Sequence, residues 1–270
     1  MDGWALLGSG NGRKLERFGD VIVERPCPQA IWPQTGHWKT PAAVFQRQKD
    51  GSGEWDRAVE LPDAWEIDML GLCFEIRLTG FGNVGLFPEH SAHFDWMADQ
   101  LASVSDAEVL NLFGYTGAAS LYLAKKGARV THVDAAKSVN GWAVANAEHS
   151  RIEKKNIRII ADDALKFAKR EARRRRQYHG IILDPPTFGR GARGEVWKIE
   201  RDLYLLMQAL RPLISADTAF VLVTSHSPGV TPSVLRNLLS SLKGDVSSGE
   251  MLLSGAGWEI PAGVFARWTQ

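Results

Sequence analysis

The chain has 270 residues with 44% hydrophobic content, which excludes a protein dominated by disorder and allows one large or two modest cores. Its 32 basic and 31 acidic residues exclude a global charge argument for nucleic acid, so any such surface has to be local. Two cysteines, Cys27 and Cys73, exclude a disulfide framework, and with no apolar run long enough to span a membrane and no signal-like N-terminus the expected location is cytoplasmic.

Residues 1–81 are rich in Gly, Pro and Trp, with short alternating runs such as Asp20–Glu24 and Phe74–Leu78. That texture predicts a small β-rich N-terminal domain. Its tryptophans (Trp32, Trp38, Trp55, Trp65) suit sheet packing better than a base-stacking platform. Gly51-Ser52-Gly53 reads as an exposed turn. From Gly82 the segment Gly-Asn-Val-Gly-Leu-Phe-Pro-Glu-His leads into a helix over His93–Leu101. His90 and His93 have no nearby cysteine or third ligand, so they are read as surface or packing residues and no metal is expected.

Residues 82–270 form the second predicted domain. Strands at Val109–Leu112, Arg129–Val133, Ile157–Ile160, Gly180–Leu183 and Ala219–Thr224 alternate with helices at Ala118–Lys126, Val139–His149, Ala164 to about Arg175, Lys198–Leu210 and Pro232–Leu242. Two late strands are placed near Met251–Leu253 and Val264–Trp268. Such alternation predicts an α/β fold, a mostly parallel sheet with helices on both faces.

In such a sheet the ligand lies beyond the carboxyl ends of the strands. The first four strands end in Asn111-Leu112-Phe113-Gly114-Tyr115-Thr116-Gly117, in Asp134, in Asp162-Asp163 and in Asp184. Burying four such ends without partners costs several kcal/mol each, so a polar ligand is the economical reading. Asp134 lies 17 residues past Gly117, close to the offset of about 20 at which a second-strand carboxylate accepts from a ribose diol; the competing role is a helix cap. Asp163, with Asp162 and Ala164 beside it, is placed to take an adenine amino group, and helix capping carries nearly equal weight there. Phe113 and Tyr115 crowd positions that a pyrophosphate cradle keeps open. Ribose and adenine without phosphate indicate S-adenosylmethionine.

Together these residues resemble the class I S-adenosylmethionine-dependent methyltransferases, in the branch acting on large-subunit ribosomal RNA at cytosine C5 or guanine N2. The likeness rests on Asn111–Gly117, Asp134, Asp163 and Asp184-Pro185-Pro186-Thr187-Phe188, with Gly85–Glu89 beside the cofactor, and covers about residues 82–270. It implies a Rossmann-like seven-stranded sheet with one antiparallel strand. It also implies a cofactor site made of Phe87, Glu89, Asn111, Phe113, Gly114, Tyr115, Thr116, Gly117, Asp134, Ala135, Asp162, Asp163, Ala164 and Asp184.

Methyl transfer needs the acceptor held in line with the donor. Asp184 and the Pro185 carbonyl are expected to accept from an exocyclic amine, Pro185 and Pro186 to stiffen the loop, and Phe188 to stack on a presented base. The cytosine route needs a thiolate, yet Thr224-Ser225-His226-Ser227 stands where cytosine-modifying relatives carry a cysteine. The acceptor expected is therefore a base nitrogen, guanine N2 ahead of others, in ribosomal or other RNA. Thr187, Arg190 and His226 are candidate substrate contacts, with Arg190, Arg193 and Lys198 in a glycine-rich loop facing an RNA backbone. Methylation of protein or a small molecule, or a non-catalytic RNA-binding module on the same fold, stays open, as does a homo-oligomer.

Overall fold

The computed structural model describes residues 3–34, 38–49, 51–191, 194–255 and 257–270. Arg193, one of the basic loop residues, lies outside them. The chain divides into two compact units, Met1–Glu89 with Leu252–Pro261 and His90–Met251 with Ala262–Gln270.

The first unit is built of strands. β1 (Trp4–Gly10), β2 (Arg13–Phe18), β3 (Val21–Pro26), β4 (Ala43–Arg47) and β5 (Gly53–Arg57) form a five-stranded sheet in that order, and β6 (Trp65–Met69) pairs with β7 (Leu72–Ile76). On β4 alternate side chains turn inward, burying Ala43 and Phe45, and Leu15, Phe18 and Val23 are buried as well. Gly51 and Ser52 make the turn between β4 and β5, where the Gln48 amide donates to the Ser52 carbonyl at 2.7 Å. The tryptophans pack. Trp55 and Trp65 donate their indole N–H to the Thr79 and Phe18 carbonyls, and Trp32 stacks on Trp258 at 5.3 Å. Buried Glu16 takes the Arg25 guanidinium at 2.6 Å; burial alone raises its pKa, but Arg25 and Lys14 outweigh it and hold the carboxyl below the usual range.

The second unit begins with a 3-10 turn and α1 (Phe94–Gln100), then alternates: β8 (Glu108–Leu112), α2 (Ala118–Lys125), β9 (Arg129–Asp134), α3 (Lys137–His149), β10 (Ile157–Ala161), α4 (Ala164–Arg173) and β11 (Gly180–Leu183). A short ribbon of β12 (Phe188–Arg190) and β13 (Val196–Lys198) precedes α5 (Ile199–Leu210), β14 (Phe220–Ser225), α6 (Pro232–Leu239), β15 (Asp245–Gly255) and β16 (Trp258–Thr269). The seven-stranded sheet has the order β10-β9-β8-β11-β14-β16-β15. Neighbouring pairs from β10 to β14 are parallel, and β16 runs antiparallel to β14.

Central strands β11 and β14 are buried along their whole length, as a sheet covered on both faces requires. On α5, Leu203, Leu206, Met207 and Leu210 recur at helical spacing and are buried with Phe167, Val221 and Trp268. Thr231 caps α6 through the Val234 amide, with Pro232 opening the helix.

Two sequence expectations change. The late strands are far longer than their apolar centres, because Ser- and Gly-rich stretches of β15 alternate only weakly between buried and exposed. The glycine-rich segment after Phe188 is a hairpin rather than an open loop: Gly191 donates to the Glu195 carbonyl, and Trp197 ties β13 to the Pro186 carbonyl at 2.7 Å. Strands of three residues are too short to show a period.

Candidate active site

The sheet order reverses between β8 and β11, so the segments leaving these two strands stand side by side at the switch point. Leaving β8, the chain turns through Phe113, Tyr115 and Gly117, with φ of 57°, 53° and 95°. The first two are left-handed non-glycine residues, a conformation that costs on the order of 1 kcal/mol each and persists only where the surroundings fix it. Several contacts do so. Phe113 packs on Trp197 at 4.9 Å, the buried Thr116 carbonyl accepts from Asn146, and Gly114 donates to the Val133 carbonyl. Gly117 occupies the N-cap position of α2.

Beneath the turn lies a buried polar chain. Asn111 donates to Ser120 Oγ at 2.8 Å, and Ser120 Oγ lies 3.0 Å from His132 Nδ1. Burial pushes the His132 pKa down to about 4. His93, buried against Phe265 and accepting from Arg267, is pushed down to about 2 by burial first and Arg267 second.

These two imidazoles give the protein a defined acid sensitivity. Their folded pKa values lie below the unfolded value of 6.5, so unfolding takes up protons between them, and stability falls as pH drops below about 6.5. From pH 7.5 to 6 the loss expected is roughly 1–2 kcal/mol. Urea midpoints at the two pH values measure it, and equal midpoints would refute it.

At the end of β9, the Asp134 carboxylate accepts from the Tyr115 amide at 3.1 Å and the Ala136 amide at 2.9 Å. It is not the helix cap; that position belongs to Ala136, with Ala135 between them. Burial raises its pKa, against the two amides. Asp134 thus binds the glycine turn to the next strand end. After β10, Asp163 does cap α4, accepting from Lys166 at 2.8 Å through one oxygen, with buried Ala164 behind it. Asp162 accepts from the Asp163 amide and, at 2.6 Å, from Arg170.

Asp184 follows β11. Thr224 on β14 donates to its Oδ1 at 2.7 Å, His226 Nδ1 stands 3.6 Å from Oδ1, and His90 Nε2 stands 3.3 Å from Oδ2. Burial disfavours the charged carboxylate, but the two imidazoles outweigh it and hold Asp184 well below the usual carboxylate range. Pro185 is buried and Pro186 exposed; Thr187 and Ser227 hydroxyls meet at 2.8 Å. Phe188 is 50% exposed, and the Arg190 guanidinium lies 5.8 Å from its ring centre.

The fold therefore brings together the β8 turn and Asp184, with His226 against the carboxylate. Phe87 and Glu89 belong to the first unit, where Glu89 is buried. His90 is the residue that sequence reasoning misplaced: it faces Asp184. Thr224, which orients that carboxylate, is legible in the sequence as a strand end and as part of the segment standing where cytosine-modifying relatives carry a cysteine. Nothing local to either residue signals a partner so distant in the chain.

Residues 34–241 match the family model described as S-adenosylmethionine-dependent methyltransferase. A solved S-adenosylmethionine-dependent methyltransferase from Agrobacterium tumefaciens is 37% identical, with a TM-score of 0.94 over 99% of this chain and 90% of that one. A Streptococcus mutans protein described as a methyltransferase shares the fold at 18% identity, with a TM-score of 0.76 over 99% of this chain and 75% of that one. Among curated relatives, the ribosomal RNA large subunit methyltransferase K/L of Shewanella frigidimarina is 30% identical over 74% of this chain, and the chain spans 27% of that relative's length. No helix among the described residues is long and apolar enough to cross a membrane. By family match, sheet order and overall likeness, the chain belongs to the S-adenosylmethionine-dependent methyltransferases, and S-adenosylmethionine is its cofactor.

Proposed function

We propose that this methyltransferase modifies a base nitrogen in RNA, guanine N2 of ribosomal RNA first, without a cysteine adduct. The observation that carries this reading is a fixed, ionised Asp184 four residues ahead of the half-exposed ring of Phe188, across Pro185, Pro186 and Thr187. An exocyclic amine has its lone pair delocalised into the ring. Hydrogen bonds to Asp184 and the Pro185 carbonyl favour a pyramidal, more nucleophilic nitrogen, while Phe188 stacks on the base and Arg190 meets the phosphate backbone. The cofactor supplies an electrophilic methyl group on sulfur; the chain supplies alignment. Both cysteines lie in the first unit, and the segment after β14 offers Ser225, His226 and Ser227 instead. The curated relatives, named for large-subunit ribosomal RNA, support that substrate class.

In the same reading Asp134 accepts from the ribose hydroxyls, and Asp163 and Ala164 meet the adenine. Asp134→Asn is expected to weaken S-adenosylmethionine binding about tenfold, since a hydrogen bond to a charged group contributes roughly 1.5–3 kcal/mol. Calorimetry on the purified variant reads it, and unchanged affinity removes the ribose role. The substrate is tested by mass spectrometry of ribosomal and transfer RNA nucleosides with and without the gene. Loss of N2-methylguanosine is the expected result; loss of 5-methylcytosine, or of no RNA methyl group, would overturn it.

A further inference from the structure

The surroundings of Asp184 hold a second chemistry. Its carboxylate sits between His90 Nε2 at 3.3 Å and His226 Nδ1 at 3.6 Å. The two approaches are to different oxygens of the carboxylate, Oδ2 facing His90 and Oδ1 facing His226, and one ligand atom from each of the three residues lies within 4.8 Å of the other two.

We propose that His90, Asp184 and His226 form a binding site for a first-row divalent cation of borderline softness, with Zn²⁺ as the reference ion. Two imidazole nitrogens and one carboxylate oxygen are the donor set for zinc-like ions rather than for magnesium or calcium. The neighbours hold the ligands in place. Thr224 donates to Asp184 Oδ1 at 2.7 Å and orients the carboxylate, as outer partners of metal ligands do. His226 packs over Gly263, where a Cβ would stand 3.2 Å from its Cδ2. His93, three residues from His90, is not part of the set; it is buried against Phe265 with Arg267 on its Nδ1. Side-chain exposures of 23% and 31% leave Asp184 and His226 reachable from solvent, while His90 Nε2 is buried. Three protein ligands leave a fourth position vacant, which water or a carbonyl oxygen of the methyl acceptor can take.

The site stands independently of the RNA reading, since binding is measured without acceptor or cofactor. In calorimetry, chelator-stripped full-length protein carrying Cys73→Ser, to silence the partly exposed thiol, is titrated with ZnCl₂. One equivalent is expected to bind, with affinity at least tenfold weaker after His90→Gln or His226→Gln, both variants retaining S-adenosylmethionine binding as proof of folding. Co²⁺ loaded into the parent protein provides a reading free of the variants: a visible absorption band that Zn²⁺ displaces. Absence of stoichiometric binding, equal affinity in folded variants, or no displaceable Co²⁺ band would each overturn the proposal.

Discussion

Replacing Asp184 with Asn is expected to lower the rate of methyl transfer about 10²–10³-fold while S-adenosylmethionine affinity changes less than about threefold. Removal of a group aimed at the reacting atoms in a preorganised site has effects of this order. The substitution preserves volume and the place beside Thr224, but it removes the ionised acceptor that His90 and His226 hold well below the usual carboxylate range. An amide in that place presents a donor to one side and cannot take the amine hydrogen as strongly. Single-turnover rates with bound cofactor isolate this step from binding. A rate within tenfold of the parent would remove Asp184 from the chemistry and leave alignment alone to explain transfer.

What the sequence exposes here is one edge of the sheet. In a parallel sheet all carboxyl ends point the same way, so polar residues closing consecutive apolar runs converge on one site without knowledge of any contact. The place of Asn111–Gly117, Asp134, Asp163 and Asp184 along that edge is legible for that reason. His90 is not, because its significance lies in a 3.3 Å approach to a residue in another part of the unit. Asp163 shows a different limit: capping and ligand binding draw on the same carboxylate, and one oxygen on the Lys166 amide is compatible with both. Asn111 stands near the end of β8, within the expected cofactor set. Its amide proves to be the first donor of a buried chain through Ser120 to His132, a role no carboxylate could fill.

That chain makes Gly114 the most constrained position of the turn. A Cβ there would lie 2.4 Å from the His132 ring, far inside contact distance. The ring cannot swing away freely: it is fully buried and its Nδ1 is held by Ser120. The displacement falls on the turn itself, whose left-handed Phe113 and Tyr115 are already held against their preference. Gly114→Ala is therefore expected to cost about 2–3 kcal/mol of stability, at the upper end for overpacking, and to weaken S-adenosylmethionine binding about 100-fold as Tyr115 and Asp134 lose register. A double-mutant cycle identifies the cause. In a His132→Ala background the methyl group has room, and the added cost of Gly114→Ala should shrink by more than half. If the cost is the same with and without the imidazole, the constraint on this glycine lies in its backbone and not in the buried chain that supports the turn.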